Sequence, residues 1–228
     1  MTQFVRPVGN GTPTGVAGVY DYFSLKQAVQ DWFARSDLGS WIDYFIQKAE
    51  AKIYRDIFAM NQGQGVSDIE TAMNVTTQSD GTAPLPSGYL GLKIGLVSLD
   101  NNTFELQRRN PEFIYTRHPF RGPAGTPTYI ARQGMNFIFG PFPDQAYPIT
   151  GIYWQRMGQL TSVNNVTWMT NSIPTVLLAA CNAAVARFLK DEEAMQIWDA
   201  EYLSEMNDFL LAERAEENSG SAFAMVAG

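Results

Sequence analysis

The sequence predicts an α+β fold: N- and C-terminal helices forming a helical bundle, with a small antiparallel β domain inserted between them. Three observations predict it. Apolar residues near both ends recur at i, i+3, i+4 and i+7, the spacing of one helix face. The stretch between them switches to alternating apolar residues broken by Gly, Pro, Asn and Asp, as strands and tight turns require. The chain, 228 residues long, can bury a core as one domain with an insert. The organisation implied is an extended arm over 1–20, a bundle built from 21–62 and 170–216, a β-rich insert over 63–169, and a flexible tail over 217–228.

Taken in order, the arm is rich in Gly, Pro and Thr, as in Gly9-Asn10-Gly11-Thr12-Pro13. Ser24 is expected to open the first helix, with Gln27 completing a capping box. Leu25, Ala28, Val29, Trp32 and Phe33 form its apolar face. Ser36-Asp37 and Gly39-Ser40 interrupt it, and a second helix is predicted over 41–60 with Ile42, Phe45, Ile46, Ala49, Ile53 and Ile57 inside. So short a connection makes an αα-hairpin. A strand is predicted over 69–76, then turns at Asp80-Gly81 and Pro84-Leu85-Pro86. Leu92, Ile94 and Leu96 alternate, as do Phe104 and Leu106, and Asp100-Asn101-Asn102 between them fits a hairpin. Asn110-Pro111-Glu112 starts a short helical turn carrying Phe113 and Ile114. Residues 118–127 hold three Pro and two Gly and read as a loop. Three antiparallel strands follow, over 128–132, 135–139 and 149–157. Helix resumes near Ser172 with Pro174 in its first turn, carried by Val176, Leu177, Ala180, Ala183, Ala184, Arg187 and Phe188. Asp191 caps a last helix whose stripe is Met195, Trp198, Tyr202, Met206, Phe209 and Leu210.

The net charge of −7 is unevenly placed. Residues 1–60 carry six basic and six acidic side chains, 61–168 seven of each, and 169–228 three and ten. The whole excess therefore lies in the last quarter. It reads as a solvated helix face, or as a surface that repels nucleic acid or meets a basic partner. Residues 1–10 lack the basic start and apolar core of a signal peptide, and no apolar run approaches a membrane span. The expectation is a soluble protein without membrane contact, made in cytoplasm.

Chemistry is sparse. Cys181 sits among Leu177, Leu178, Ala179 and Ala180, where a buried inert thiol is expected. His118, the only histidine, stands in a loop between Arg117 and Pro119, so a surface role outweighs catalysis. Asp191-Glu192-Glu193 suits helix capping better than metal binding. Residues 9–15 lack the lysine and preceding strand of a phosphate loop. No enzymatic activity, metal or cofactor is expected. Arg108, Arg109, Arg117, Arg121 and Arg132, interleaved with Phe113, Tyr115 and Phe120, form the best nucleic-acid candidate. They serve equally as a basic patch answering a neighbour's acidic helix. Arginines outnumber lysines 11 to 5, which favours forked interface contacts.

Several segments together resemble the head-to-tail adaptor, or connector, proteins of tailed bacteriophages. Ser24-Leu25-Lys26-Gln27-Ala28-Val29-Gln30-Asp31-Trp32-Phe33 is similar to their opening helix, and Ala49-Glu50-Ala51-Lys52-Ile53-Tyr54-Arg55-Asp56 to their second. Pro84-Leu85-Pro86-Ser87-Gly88-Tyr89-Leu90 and Gly140-Pro141-Phe142-Pro143 resemble the approaches to their β strands. Leu189-Lys190-Asp191-Glu192-Glu193-Ala194 with Trp198 resembles their C-terminal helix pair. The likeness covers roughly 20–215. It implies a structural virion protein at the head–tail junction, a homo-oligomer assembling as a dodecameric ring on the portal protein and presenting a platform to tail or nozzle proteins. Genomic DNA would pass through the ring without sequence-specific binding. On this basis Trp198, Tyr202, Phe209, Phe223 and Met225 are candidate portal contacts, and Arg117, His118, Phe120 and Arg121 candidate tail-side or intersubunit contacts. The competing readings are another tail or nozzle structural subunit, a nucleic-acid-binding module, and a small hydrolase built from carboxylates that sequence does not pair.

Overall fold

The structure is a computed structural model that describes residues 18–99 and 102–219. The arm up to residue 17 and the tail from 220, with Phe223 and Met225, lie outside the described residues. The described chain is α+β, as predicted, and it divides into two compact units. One comprises Met1–Glu50 with Gln159–Leu203; the other comprises Ala51–Gly158 with Ser204–Gly228.

The first unit is helical. Helix α1 spans Tyr22–Phe33, one turn earlier than expected. Its N-cap is Asp21, whose Oδ1 accepts the Ser24 N–H at 2.7 Å, while Ser24 Oγ accepts the Asp21 N–H at 2.8 Å. Ser24 is thus the inner half of the capping box rather than its start. Such a cap contributes about 1 kcal/mol. Gln27, expected in that box, instead donates to Asp31 at 2.8 Å. A 3₁₀ turn over Ser36–Ser40 leads into helix α2, Ile42–Met60, and the Tyr22 hydroxyl donates to Asp43 at 2.9 Å. Burial and this bond push the Tyr22 phenol up to about 12. Helices α4 (Trp168–Ser172) and α5 (Pro174–Leu189) follow the β region, with Pro174 at the first position of α5 as expected.

Helix α5 departs from a one-sided stripe. Ala179, Ala180, Cys181, Asn182, Ala183, Ala184, Val185 and Ala186 are all buried in sequence, while Arg187 and Phe188 are exposed. Side chains this small let neighbours close in all round, so a simple amphipathic pattern is lost. Phe188 lies 5.5 Å from Phe45 and 5.2 Å from Trp41. The last helix, α6, spans Glu192–Ser219. Asp191 accepts the Ala194 N–H at 3.0 Å, the cap expected of it.

The second unit is built on two four-stranded sheets. One has the order β1-β8-β3-β4, with β1 Glu70–Thr76, β3 Tyr89–Leu99, β4 Asn102–Glu105 and β8 Pro148–Gln155. The other has the order β2-β7-β6-β5, with β2 Thr82–Pro84, β5 Gln107–Arg108, β6 Tyr129–Gln133 and β7 Asn136–Gly140. The last three predicted strands therefore do not share a sheet. β6 and β7 form a hairpin in one, whereas β8 inserts between β1 and β3 of the other. Among the described strands the single parallel pairing is β5 with β6.

Period-two alternation explains the packing. Phe137 and Phe139 of β7 and Ile130 of β6 join Met73, Leu92, Val97, Ile149 and Tyr153 in one core. Their neighbours Ile138 and Ala131 point the other way, to Ile114 and Phe142. Ile114 belongs to α3, Pro111–Arg117, which covers that outer face; burying it contributes about 2 kcal/mol. The predicted run Leu92, Ile94, Leu96 does not keep one face. Register shifts between Leu92 and Ile94, so Val97 rather than Leu96 reaches the core. A bulge inserts one residue and exchanges the faces beyond it.

Candidate interaction surfaces

The loop after α3 builds the first surface. Arg117 ends α3 and is exposed. His118 is half-buried, and a Cβ at Gly140 would come within 2.9 Å of its ring, so only glycine lets the imidazole settle there. Pro119–Arg121 then make a 3₁₀ turn in which Phe120 (φ +58°) and Arg121 (φ +59°) both occupy the left-handed region. Each such non-glycine residue is strained. Bracing comes from Arg121, which donates to the Asp80 carbonyl and lies 4.9 Å over the Phe142 ring. Among the described residues nothing covers the Phe120 side chain, which has 103% relative exposure. Of the four residues expected at this surface, His118 and Arg121 hold the loop, and Arg117 and Phe120 are presented.

Helix α6 builds the second. Tyr202 is fully buried, so it anchors the helix to its own chain and offers no outer surface. Trp198 is half-buried, edge-on to Trp32 at 5.0 Å, and Phe209 is half-buried as well. The apolar side chains that α6 does expose are Ile197, Leu203 and Leu211. The sequence stripe missed Ile197 and Leu211 because they lie across the helix from it, and Leu203 because it sits at the stripe's edge. Near its C-terminal end, Arg214 donates to Asn61 at 2.9 Å and Glu213 accepts from Ser67 at 2.9 Å.

A third surface gathers around Tyr89. Arg132 lies 5.6 Å over the Tyr89 ring, and with Arg156, Leu85, Pro86 and Met135 it lines an open cleft of about 340 Å³. Arg108 and Arg109 border an adjoining hollow that shares Tyr89 and Arg132. Arg109 lies 5.3 Å over Phe113, and Arg156 lies 5.0 Å over Tyr54. None of these four guanidinium groups forms a salt bridge among the described residues. Sequence reasoning found Arg108, Arg109 and Arg132 but missed Arg156. It sits at the end of β8, in the other sheet, and no local pattern ties it to the cluster.

Cys181 is fully buried, and that burial pushes its thiol well above the usual range. Among the described residues no group of three or more His, Cys, Asp or Glu is placed to hold a metal ion. These surfaces offer contact.

A family model described as SU10 adaptor protein matches residues 20–225. The chain belongs to the SU10 adaptor protein family. A search of curated proteins finds no match. The adaptor is accordingly a structural phage protein of the virion, from a family of structural adaptors rather than of known enzymes. Among its described residues no helix is long and apolar enough to cross a membrane.

Proposed function

We propose that this adaptor assembles as a ring of twelve copies that docks on the portal and joins it to tail or nozzle proteins. DNA passes through the channel without sequence-specific contact, and the subunit is made in the host cytoplasm. The observation that carries the joining role is Phe120, a fully exposed aromatic on a braced, strained turn. Backbone strain of this kind persists only where surrounding contacts hold it, and it clusters at functional sites. Phe120 and Arg117 are the tail-side or intersubunit anchors, with His118 and Arg121 as their support. On α6, Trp198 and Phe209 with the tail residues Phe223 and Met225 serve portal contact, and Tyr202 fixes the helix that carries them.

The test is a Phe120→Gly variant in an in vitro assembly with purified portal rings and tails. Glycine relieves the left-handed strain, so the variant should be as stable as the parent or about 0.5–1 kcal/mol more so. It should bind portal and fail to attach tails. Attachment at the parental level would remove Phe120 from the joining surface. Failure of the parental protein to bind portal at any salt concentration would sink the adaptor ring itself.

A further inference from the structure

We infer that the arginine-lined cleft around Tyr89 receives helix α6 of a neighbouring copy. This rests on the ring proposed above and names the surfaces that close it. Three observations lead there.

First, the cleft is chemically unfinished. Arg132 and Arg156 line it, Arg108 and Arg109 border the hollow that adjoins it, and none of the four has a carboxylate partner among the described residues. Guanidinium groups resting on aromatic rings are fixed in place and keep N–H donors for a carboxylate. The lining between them is apolar, with Leu85, Pro86 and Met135, the last 76% exposed.

Second, α6 carries the complementary pattern. Glu193, Ile197, Glu201, Ser204, Asp208 and Leu211 are all exposed. Their spacing of three and four places them along one face of a single helix, opposite the buried Tyr202, Met206 and Leu210. Three acidic side chains and the aliphatic Ile197 and Leu211 share this face with Ser204. None of Glu193, Glu201 and Asp208 forms a salt bridge among the described residues.

Third, among the described residues neither surface has an ionic partner, yet every copy carries both. A surface that meets a different surface on an identical neighbour makes a head-to-tail contact, and such contacts repeat until the rotation closes a ring. A nucleic-acid backbone would satisfy the arginines but supplies no aliphatic group for the floor between them. The acidic face of α6 supplies both.

The test uses the full chain with two charge-reversed variants, Arg109→Glu/Arg132→Glu and Glu201→Arg/Asp208→Arg. Sedimentation velocity across a concentration series reads association, and circular dichroism checks that each variant is folded. The parent should associate in a salt-sensitive way. Each variant alone should associate at least roughly tenfold more weakly, as like charges are brought together. Mixing the two should restore association, because each reversed surface then meets its opposite. Three results would overturn the inference: a parent that stays monomeric at every concentration, variants that associate like the parent, or a mixture that does not recover. A duplex-DNA titration adds a fourth, in which the arginine variant loses DNA binding while association is unchanged. Capture on immobilised portal separates this inference from the adaptor reading. If both variants form rings there as the parent does, the interface lies elsewhere and the adaptor stands; if the parent itself is not captured, the adaptor reading fails.

Discussion

The helical unit and the β unit of this protein treat their charges differently. In the helical unit Arg35 pairs with Asp37 at 2.6 Å and Arg187 with Asp199 at 2.6 Å. In the β unit Lys52 and Arg55 pair with Asp56 and Lys93 is shared by Glu70 and Glu217, while only the arginines about Tyr89 and on the loop after α3 rest on rings or carbonyl oxygens instead. Guanidinium groups held in place without carboxylates add little to a fold. In the inference drawn above they are positioned for a partner, and the comparison teaches that the open arginines of this protein gather in one part of the β unit, around Tyr89.

The units also differ in how tightly backbone approaches backbone, and this gives the largest expected effect. Gly151, in the middle of β8, has φ +153°, and a Cβ there would lie 2.1 Å from the Ile94 carbonyl oxygen of β3. Gly151→Ala should therefore destabilise the protein by roughly 3 kcal/mol or more, read by chemical denaturation. A loss under half that would mean the sheet can shift to make room. The α5 helix predicts the opposite response. Asn182 is fully buried and its amide nitrogen and oxygen have no hydrogen-bond partner among the described residues. Asn182→Ala removes an unsatisfied group and improves helix propensity, and should raise stability by about 1 kcal/mol. A lower thermal midpoint would show that the amide matters to the helical core after all. The smallest effects test the charge contrast itself. Arg187→Ala removes a surface pair and should cost about 0.2–1 kcal/mol. Arg109→Ala should leave stability within about 0.5 kcal/mol of the parent. If Arg109→Ala proved the more destabilising of the two, the β-unit arginines would have to be counted as part of the fold.

Much of this architecture was legible before folding. The inner face of α2 is a clean 3.6-residue pattern, and all six expected residues are buried. The β6–β7 hairpin follows from Gln133-Gly134, and α3 from Asn110-Pro111. Sequence failed where the relevant contact is not local. It read β6, β7 and β8 as antiparallel strands, which they are, but not that β8 leaves its chain neighbours to pair with β1 and β3. It kept Leu96 on the core side because a bulge leaves no signature in alternation. It counted Tyr202 as a surface contact because a stripe on one helix does not reveal which part of that stripe its own chain already covers.

By itself the sequence determined the elements, their order, the uneven charge and the absence of any familiar catalytic motif, since each is set by short-range spacing and composition. Only the tertiary structure decided which arginines gather around Tyr89, that Phe120 stands wholly in solvent, and that Ile197 and Leu211 are exposed on the far face of α6. Those facts depend on which distant segments meet, and pairing energies between strands far apart in the chain are written in no local pattern.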